Sequence, residues 1–483
     1  MKELSELQLQ KRELRLSKRV DRQNLTTGTP WKKILMFSIP ILIGCLFQQL
    51  YSMVDAIIVG KYLGSDALAA VGTTGPISFL VIGFAQGITS GMAVITSQKF
   101  GDKNNDKVKK SIATSTMLSV GIIIVLTTIA ILTARPLLKL MRVPSQLMDM
   151  ADTYISIIYW GIFSAIFYNL ASSQLRAIGD STTPLFFLIF SSVINVALDI
   201  VSIKFMNMGV AGAAWATVVS QLLSSILCYI YSVVRYPVFR LTREDFKTTY
   251  KFCMEHLKVG FPMAFQFSIT AIGTIIIQAS LNDFGADAMS GFTVANKIEG
   301  LIVQSFCALG VAMATYCGQN FGAKRYDRIK TGIKSATIIV LICSVFAAVI
   351  NLTMTNIFVD LFLTDPNPAI IDYARQYLTI LAFFYPALAL LFVYRNSLQG
   401  MGQNLIPFLG GVGELVARSV VAVTLPAVIG YVGVCMASPL AWIAAAIPLT
   451  VKVILVVNKL VPRTIKSISI NRHTALSAQD KDK

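Results

Sequence analysis

Histidine is close to absent: His256 and His473 are the only two in 483 residues. Both lie in polar stretches, and neither has a partner at metal-ligand spacing. The seven cysteines form no C-x-x-C pair and mostly fall inside apolar runs. They read as small buried apolar residues rather than disulfides or metal ligands. The sequence contains no Walker A loop, no H-E-x-x-H, no convincing nucleophile–base set and no large polar domain, which argues against ATP hydrolysis or other enzymatic chemistry in this chain. Charge is scarce as well. Only 14% of residues are Asp, Glu, Lys or Arg, against about 25% in a soluble domain. Residues 1–33 are polar and mixed in charge, so no cleavable signal peptide is expected and the first apolar run itself directs insertion.

What fills the space is apolar: 55% of residues are hydrophobic and the mean hydropathy is +0.66. The apolar stretches are about 20 residues or longer, enough to cross a hydrocarbon core of about 30 Å as helices. A membrane β-barrel would show shorter alternating segments. The pattern predicts about twelve spans, near 34–60, 67–97, 112–138, 147–172, 183–204 and 210–234, then 260–282, 288–317, 334–362, 370–395, 405–427 and 431–457. The formal charge of +17 does not indicate nucleic acid, because the basic residues sit in the connections between spans. Lys103, Lys107, Lys109 and Lys110 follow span two, Lys324, Arg325, Arg328 and Lys330 follow span eight, and a basic stretch follows span six. With the basic N-terminal segment and tail they fall on one side, which is expected to be cytoplasmic. Arg135, Lys139 and Arg142 run against this rule on the other side.

The chain also repeats itself. Gln98-x-Phe100-Gly101 returns as Gln319-x-Phe321-Gly322, an offset of 221 (319 − 98). Asp106 and Lys109 recur as Asp327 and Lys330, Pro40 as Pro262, Leu175 and Gly179 as Leu398 and Gly402, and Pro184 as Pro407. Six spans per half is an even number, so the halves are parallel repeats. The expected fold is an all-α integral membrane protein with two six-helix lobes around a central cavity. Its parts are an N-terminal segment (1–33), an N-lobe (34–234), a linker (235–259), a C-lobe (260–457) and a polar tail (458–483). Two similar membrane halves are most often a transporter with its substrate path between them.

Charges within spans cost about 2.5–3.5 kcal/mol each at a helix centre, so they mark candidate sites. The first half holds Asp55 and Asp199; the second holds Lys297, Glu299, Glu414 and Arg418. Asn195 and Asp199 are four apart and share a helix face. Asn169 and Thr217 would extend them into an oxygen-rich cluster suited to a proton or a hard monovalent cation such as Na⁺ at Asp55, Asn195 and Asp199. Glu414 and Arg418, also four apart, read as an internal ion pair. Pro40, Pro76 and Pro262 are candidates for kinks, Pro40 above all as a hinge. Gln48, Gln49, Tyr51, Met53, Phe267, Asn296 and Glu299 are the candidate substrate-cavity residues, with the aromatics and methionine offering a soft wall.

These residues together resemble the multidrug and toxic compound extrusion (MATE) family over roughly 34–460. The carriers are Pro40 with Gln48, Asp55 and Gly60, the Leu63-Gly64 to Ala70 turn, the two Gln-x-Phe-Gly motifs, and Arg176-Ala177-x-Gly179-Asp180. Ala295-Asn296-Lys297-Ile298-Glu299 resembles the bacterial DinF-like branch with its MepA-type pumps. The resemblance implies alternating access and export of small organic cations in exchange for H⁺ or Na⁺, with no cofactor. It places the coupling site at Asp55, Asn169, Asn195, Asp199 and Thr217, with Tyr154 nearby. Span seven holds no acid, and span ten only Asp372 at its outer end, which favours the first lobe for coupling. The implied setting is a monomer in the lipid bilayer of the plasma membrane with both termini cytoplasmic and no nucleic-acid partner. A lipid-linked oligosaccharide flippase of the same superfamily and a membrane-embedded enzyme are the alternatives.

Overall fold

The computed structural model describes residues 24–141, 143–362 and 367–479. The N-terminal half contains α1 (Pro30–Leu63), α2 (Ser65–Thr73), α3 (Gly75–Gly101), α4 (Asn105–Leu140), α5 (Ser145–Trp160), α6 (Ile162–Ala177), α7 (Thr182–Ile200) and α8 (Gly209–Arg235). The C-terminal half contains α9 (Tyr250–Leu281), α10 (Gly285–Gly322), α11 (Tyr326–Phe362), α12 (Pro368–Gly400), α13 (Leu405–Thr424), α14 (Pro426–Ile429) and α15 (Tyr431–Gln479). Eleven of the described helical segments are long and apolar enough to cross a membrane. The pair α5 and α6, bent by 47°, supplies a twelfth.

That break lies at Gly161, where span four was expected to be continuous. A Cβ on Gly161 would come within 2.1 Å of Val218 on α8. Only glycine lets the two helices approach this closely. Pro40 and Pro262 lie inside α1 and α9. Pro76, in contrast, occupies the first turn of α3. Its missing N–H is no loss there, so it starts a helix rather than kinking one.

The repeat is written in the backbone. Gly64 and Gly285 both have positive φ (89° and 84°), as do Gly179 and Gly402 (89° and 77°). Lys103 and Lys324 share the left-handed conformation at 57° and 55°, an uncommon choice for a residue with a side chain. Each closes the turn that follows a Gln-x-Phe-Gly motif.

Each lobe is built around a core, and the C-lobe core takes in Ile34, Phe37 and Ile41 of α1. In the N-lobe Ile155, Tyr159, Ile162 and Ile166 of the broken span pack with Ala134 and Leu138 of α4 and Ala214 and Val218 of α8. In the C-lobe Phe306, Leu309 and Met313 of α10 pack against Leu378, Tyr385 and Leu388 of α12. Large apolar side chains on outward faces, such as Ile124, Leu132, Phe186, Val193 and Ile342, remain exposed. They form the surface that lipid covers.

Two boundaries differ from the sequence reading. The helix α9 begins at Tyr250, well before the apolar run, because its first turns are amphipathic and pack on α4. His256 therefore leaves the linker and becomes fully buried: Nε2 meets Ser111 Oγ at 2.8 Å and Nδ1 meets the Phe252 carbonyl at 2.9 Å. The helix α15 continues through the expected tail to Gln479.

Candidate functional site

The lobes touch at the basic end through the two repeated motifs. Gln98 Nε2 donates to the Gly400 carbonyl at 2.9 Å, and Gln319 Nε2 donates to the Ala177 carbonyl at 2.9 Å. Gly400 is 223 residues after Ala177, so one bond is made twice in opposite directions. Beneath them Gly101 lies against the Gln319 carbonyl and Gly322 against the Gln98 carbonyl. A Cβ at either position would sit 1.9 or 1.8 Å from that oxygen. The motifs are thus glycine–backbone contacts with a glutamine bond on each side. Residues 24–28 add a strap: Leu25 N donates to Gln319 Oε1 at 3.1 Å, and Arg328 Nη1 donates to the Gly28 carbonyl at 2.7 Å.

Further in, α3 crosses α9 at close range. Cβ atoms on Gly87 and Gly91 would lie 2.6 Å from the Cα atoms of Ala264 and Gly260. Phe267 packs at this crossing, over Gly83.

A cavity of 160 Å³ is walled by α1, α3, α6, α7 and α8 of the N-lobe and by Cys307 and Val311 of α10 in the C-lobe. Pro40, Gln48, Tyr51, Asn169 and Arg176 line it. Asn169 donates from Nδ2 to the Ala165 carbonyl at 2.9 Å, a bond within its own helix.

The carboxyl groups of Asp55 and Asp199 face each other within hydrogen-bonding reach. Asp199 is fully buried and Asn195 is 1% exposed. In its satisfied orientation the Asn195 amide donates to Asp199 Oδ2 at 3.0 Å and accepts from the Thr217 backbone N–H at 3.2 Å. Thr217 Oγ1 is held by the Ala213 carbonyl at 3.1 Å, and Tyr51 lies within hydrogen-bonding reach of Thr217. Tyr154 faces the same group. Asp55 Oδ1 and Asp199 Oδ1 are buried and have no hydrogen-bond partner among the described residues. A carboxyl–carboxyl hydrogen bond needs a proton, and two bare oxygens in low dielectric call for a proton or a cation. The structure therefore brings together Asp55, Asn195, Asp199, Thr217, Tyr51 and Tyr154, and sets Asn169 in the adjoining cavity wall.

The other predicted cavity residues separate. Met53 is exposed, 39%, outside this cavity, and Gln49 is half-buried. Asn296 and Glu299 line a second cavity of 170 Å³ within the C-lobe. Lys297 is exposed. Glu414 and Arg418 do pair, with Arg418 Nη2 to Oε1 at 2.8 Å. Arg395, absent from the sequence reading, takes the other oxygen at 2.7 Å. Tyr377 donates to Glu299 Oε2 at 2.7 Å. Arg395 was legible only as a charge within span ten near its basic end, where it reads as an interfacial anchor.

Two lobes that each match one and the same family model settle the kinship. The MatE model matches residues 40–201 and again 262–424. The chain belongs to the MatE family. It is a membrane transporter, not an enzyme. It is 28% identical over 386 residues to the probable multidrug resistance protein YpnP of Bacillus subtilis (strain 168), covering 79% of this chain and 85% of that protein. It is 21% identical over 379 residues to the multidrug export protein MepA of Staphylococcus aureus (strain MRSA252), covering 77% and 82%. A MATE crystal structure in the bent conformation superposes with a TM-score of 0.84 at 22% identity, over 92% of this chain and 99% of that one. This likeness concerns the fold.

Proposed function

We propose that this MatE transporter exports small organic cations in exchange for protons, with the Asp55–Asp199 pair as the proton carrier. One observation carries the reading: two carboxyl groups lie within hydrogen-bonding reach, each with a buried oxygen lacking a partner among the described residues, and Tyr51 beside them lines the cavity. A proton on the pair satisfies both carboxyls; its departure leaves a charge that a bound cation can balance. Substrate and proton then compete for one electrostatic site, which is what an exchanger requires. The names of the relatives, multidrug resistance and multidrug export proteins, support drugs as the cargo.

The contact between the lobes at the basic end fits a state closed toward the cytoplasm. Protonation of the pair would change how α1 packs on α7, and Pro40 leaves α1 one backbone bond short at the place where it can bend. Opening the cytoplasmic side requires Gln98 and Gln319 to release together.

The test is ethidium efflux from proteoliposomes under an imposed pH gradient. Wild-type protein is expected to transport; Asp55→Asn and Asp199→Asn are expected to insert normally and not transport. Full activity in both variants, or transport driven by a sodium gradient alone, would overturn the proton reading.

A further inference from the structure

The C-lobe cavity has the opposite chemistry to the N-lobe cluster. Counting by the repeat, Arg418 stands 223 residues after Asn195, and Ala422 stands 223 after Asp199. Asp55 falls on Ile277 at the offset of 222 that relates Pro40 to Pro262. Tyr154 falls on Tyr377 at 223. The C-lobe thus keeps the tyrosine, loses both aspartates and gains a guanidinium.

Arg395 on α12 and Arg418 on α13 share a single carboxylate, Glu414, at 2.7 and 2.8 Å. Their side chains are only 9% and 7% exposed, and both line the 170 Å³ cavity. A guanidinium carries five N–H donors. Here each gives one to Glu414, and the Nε of both is buried with no partner among the described residues. Both oxygens of Glu414 are already used. The other carboxyl in the cavity, Glu299, accepts from the Tyr377 hydroxyl at 2.7 Å and interacts electrostatically with Arg418. Two buried Nε–H donors left without an acceptor favour a ligand that brings oxygen lone pairs to them. A planar oxyanion matches paired guanidiniums best.

We infer that the C-lobe cavity is a binding site for the carboxylate of a small organic acid or zwitterion, held between Arg395 and Arg418. This rests on the transporter reading for its biological meaning, but not for its test, because binding is read without a gradient. Glu414 acts as an internal anion that holds the two guanidiniums in place and competes with the ligand.

Trp442 lines the same cavity and is 4% exposed. The chain has four tryptophans, and Trp31, Trp160 and Trp215 are exposed. A protein with Trp31→Phe, Trp160→Phe and Trp215→Phe therefore reports from the cavity alone. In detergent solution at neutral pH, benzoate is expected to change Trp442 fluorescence saturably, and neutral benzamide is not. Arg395→Gln is expected to weaken benzoate at least tenfold. Glu414→Gln, which removes the competing anion, is expected to tighten it severalfold, an opposite change that loss of structure would not produce. Equal responses to benzoate and benzamide, or unchanged benzoate affinity in both variants, would overturn the inference. Loss of ethidium exchange with benzoate binding intact would overturn the transport reading alone.

Discussion

Gln98 and Gln319 make the same bond in opposite directions across the lobe interface, each reaching a carbonyl of the other lobe at 2.9 Å. Neither glutamine alone would define a gate. Together, with a glycine under each, they form a symmetric contact between the lobes, and the proposed exchange requires it to open as a unit.

Gly101→Ala and Gly322→Ala are expected to be worse than loss of either glutamine. The new Cβ meets a backbone oxygen at under 2 Å, and a carbonyl cannot step aside as a side chain can. Each alanine should force the basic end apart and cut transport at least tenfold. Gln98→Ala removes one hydrogen bond, about 1 kcal/mol, and should slow transport about fivefold. Reactivity of a cysteine placed at Ala314, buried in the small interlobe cavity, toward a membrane-impermeant reagent added to the basic face would rise in the glycine variants. Unchanged reactivity would remove the gating role.

Gly161→Ala is expected to destabilise the N-lobe. Its Cβ would overlap Val218, and overpacking of a filled core costs about 1–3 kcal/mol. The pairing Gly161→Ala with Val218→Ala should recover most of the loss, read as thermal unfolding in detergent. No recovery would place the strain elsewhere.

Glu414→Gln leaves two buried guanidiniums without their anion. Breaking such a group from one side costs about 3–5 kcal/mol, so the melting temperature should fall. Adding benzoate should restore much of it, since a ligand of the native state stabilises by mass action. A variant as stable as wild type would show that the Arg395–Glu414–Arg418 group contributes little.

Much of this was legible in the sequence. Long apolar runs gave the spans, and recurring glycines and prolines gave the parallel repeat, because turns and close approaches tolerate few residue types. Asn195 and Asp199 were readable as one face through helical spacing. Helix-to-helix meetings were not: the Asp55–Asp199 encounter from α1 to α7, and the arrival of Arg395 from α12 on Glu414 of α13, depend on packing rather than local period. The break at Gly161 was hidden because composition stays apolar across it. His256 was misplaced because an amphipathic helix extension has the average polarity of a linker. Asn296 and Glu299 were grouped with Gln48 and Tyr51 in one expected cavity between the lobes, whereas the fold gives the two sets separate cavities.

In the proposed exchange one proton on the Asp55–Asp199 pair gives way to one organic cation. The most direct measurement adds ethidium to purified protein in weakly buffered detergent solution and follows pH with an indicator dye. The exchange requires proton release that saturates with ethidium in wild-type protein and is absent from Asp55→Asn. Ethidium binding without proton release, or equal release from Asp55→Asn, would contradict it.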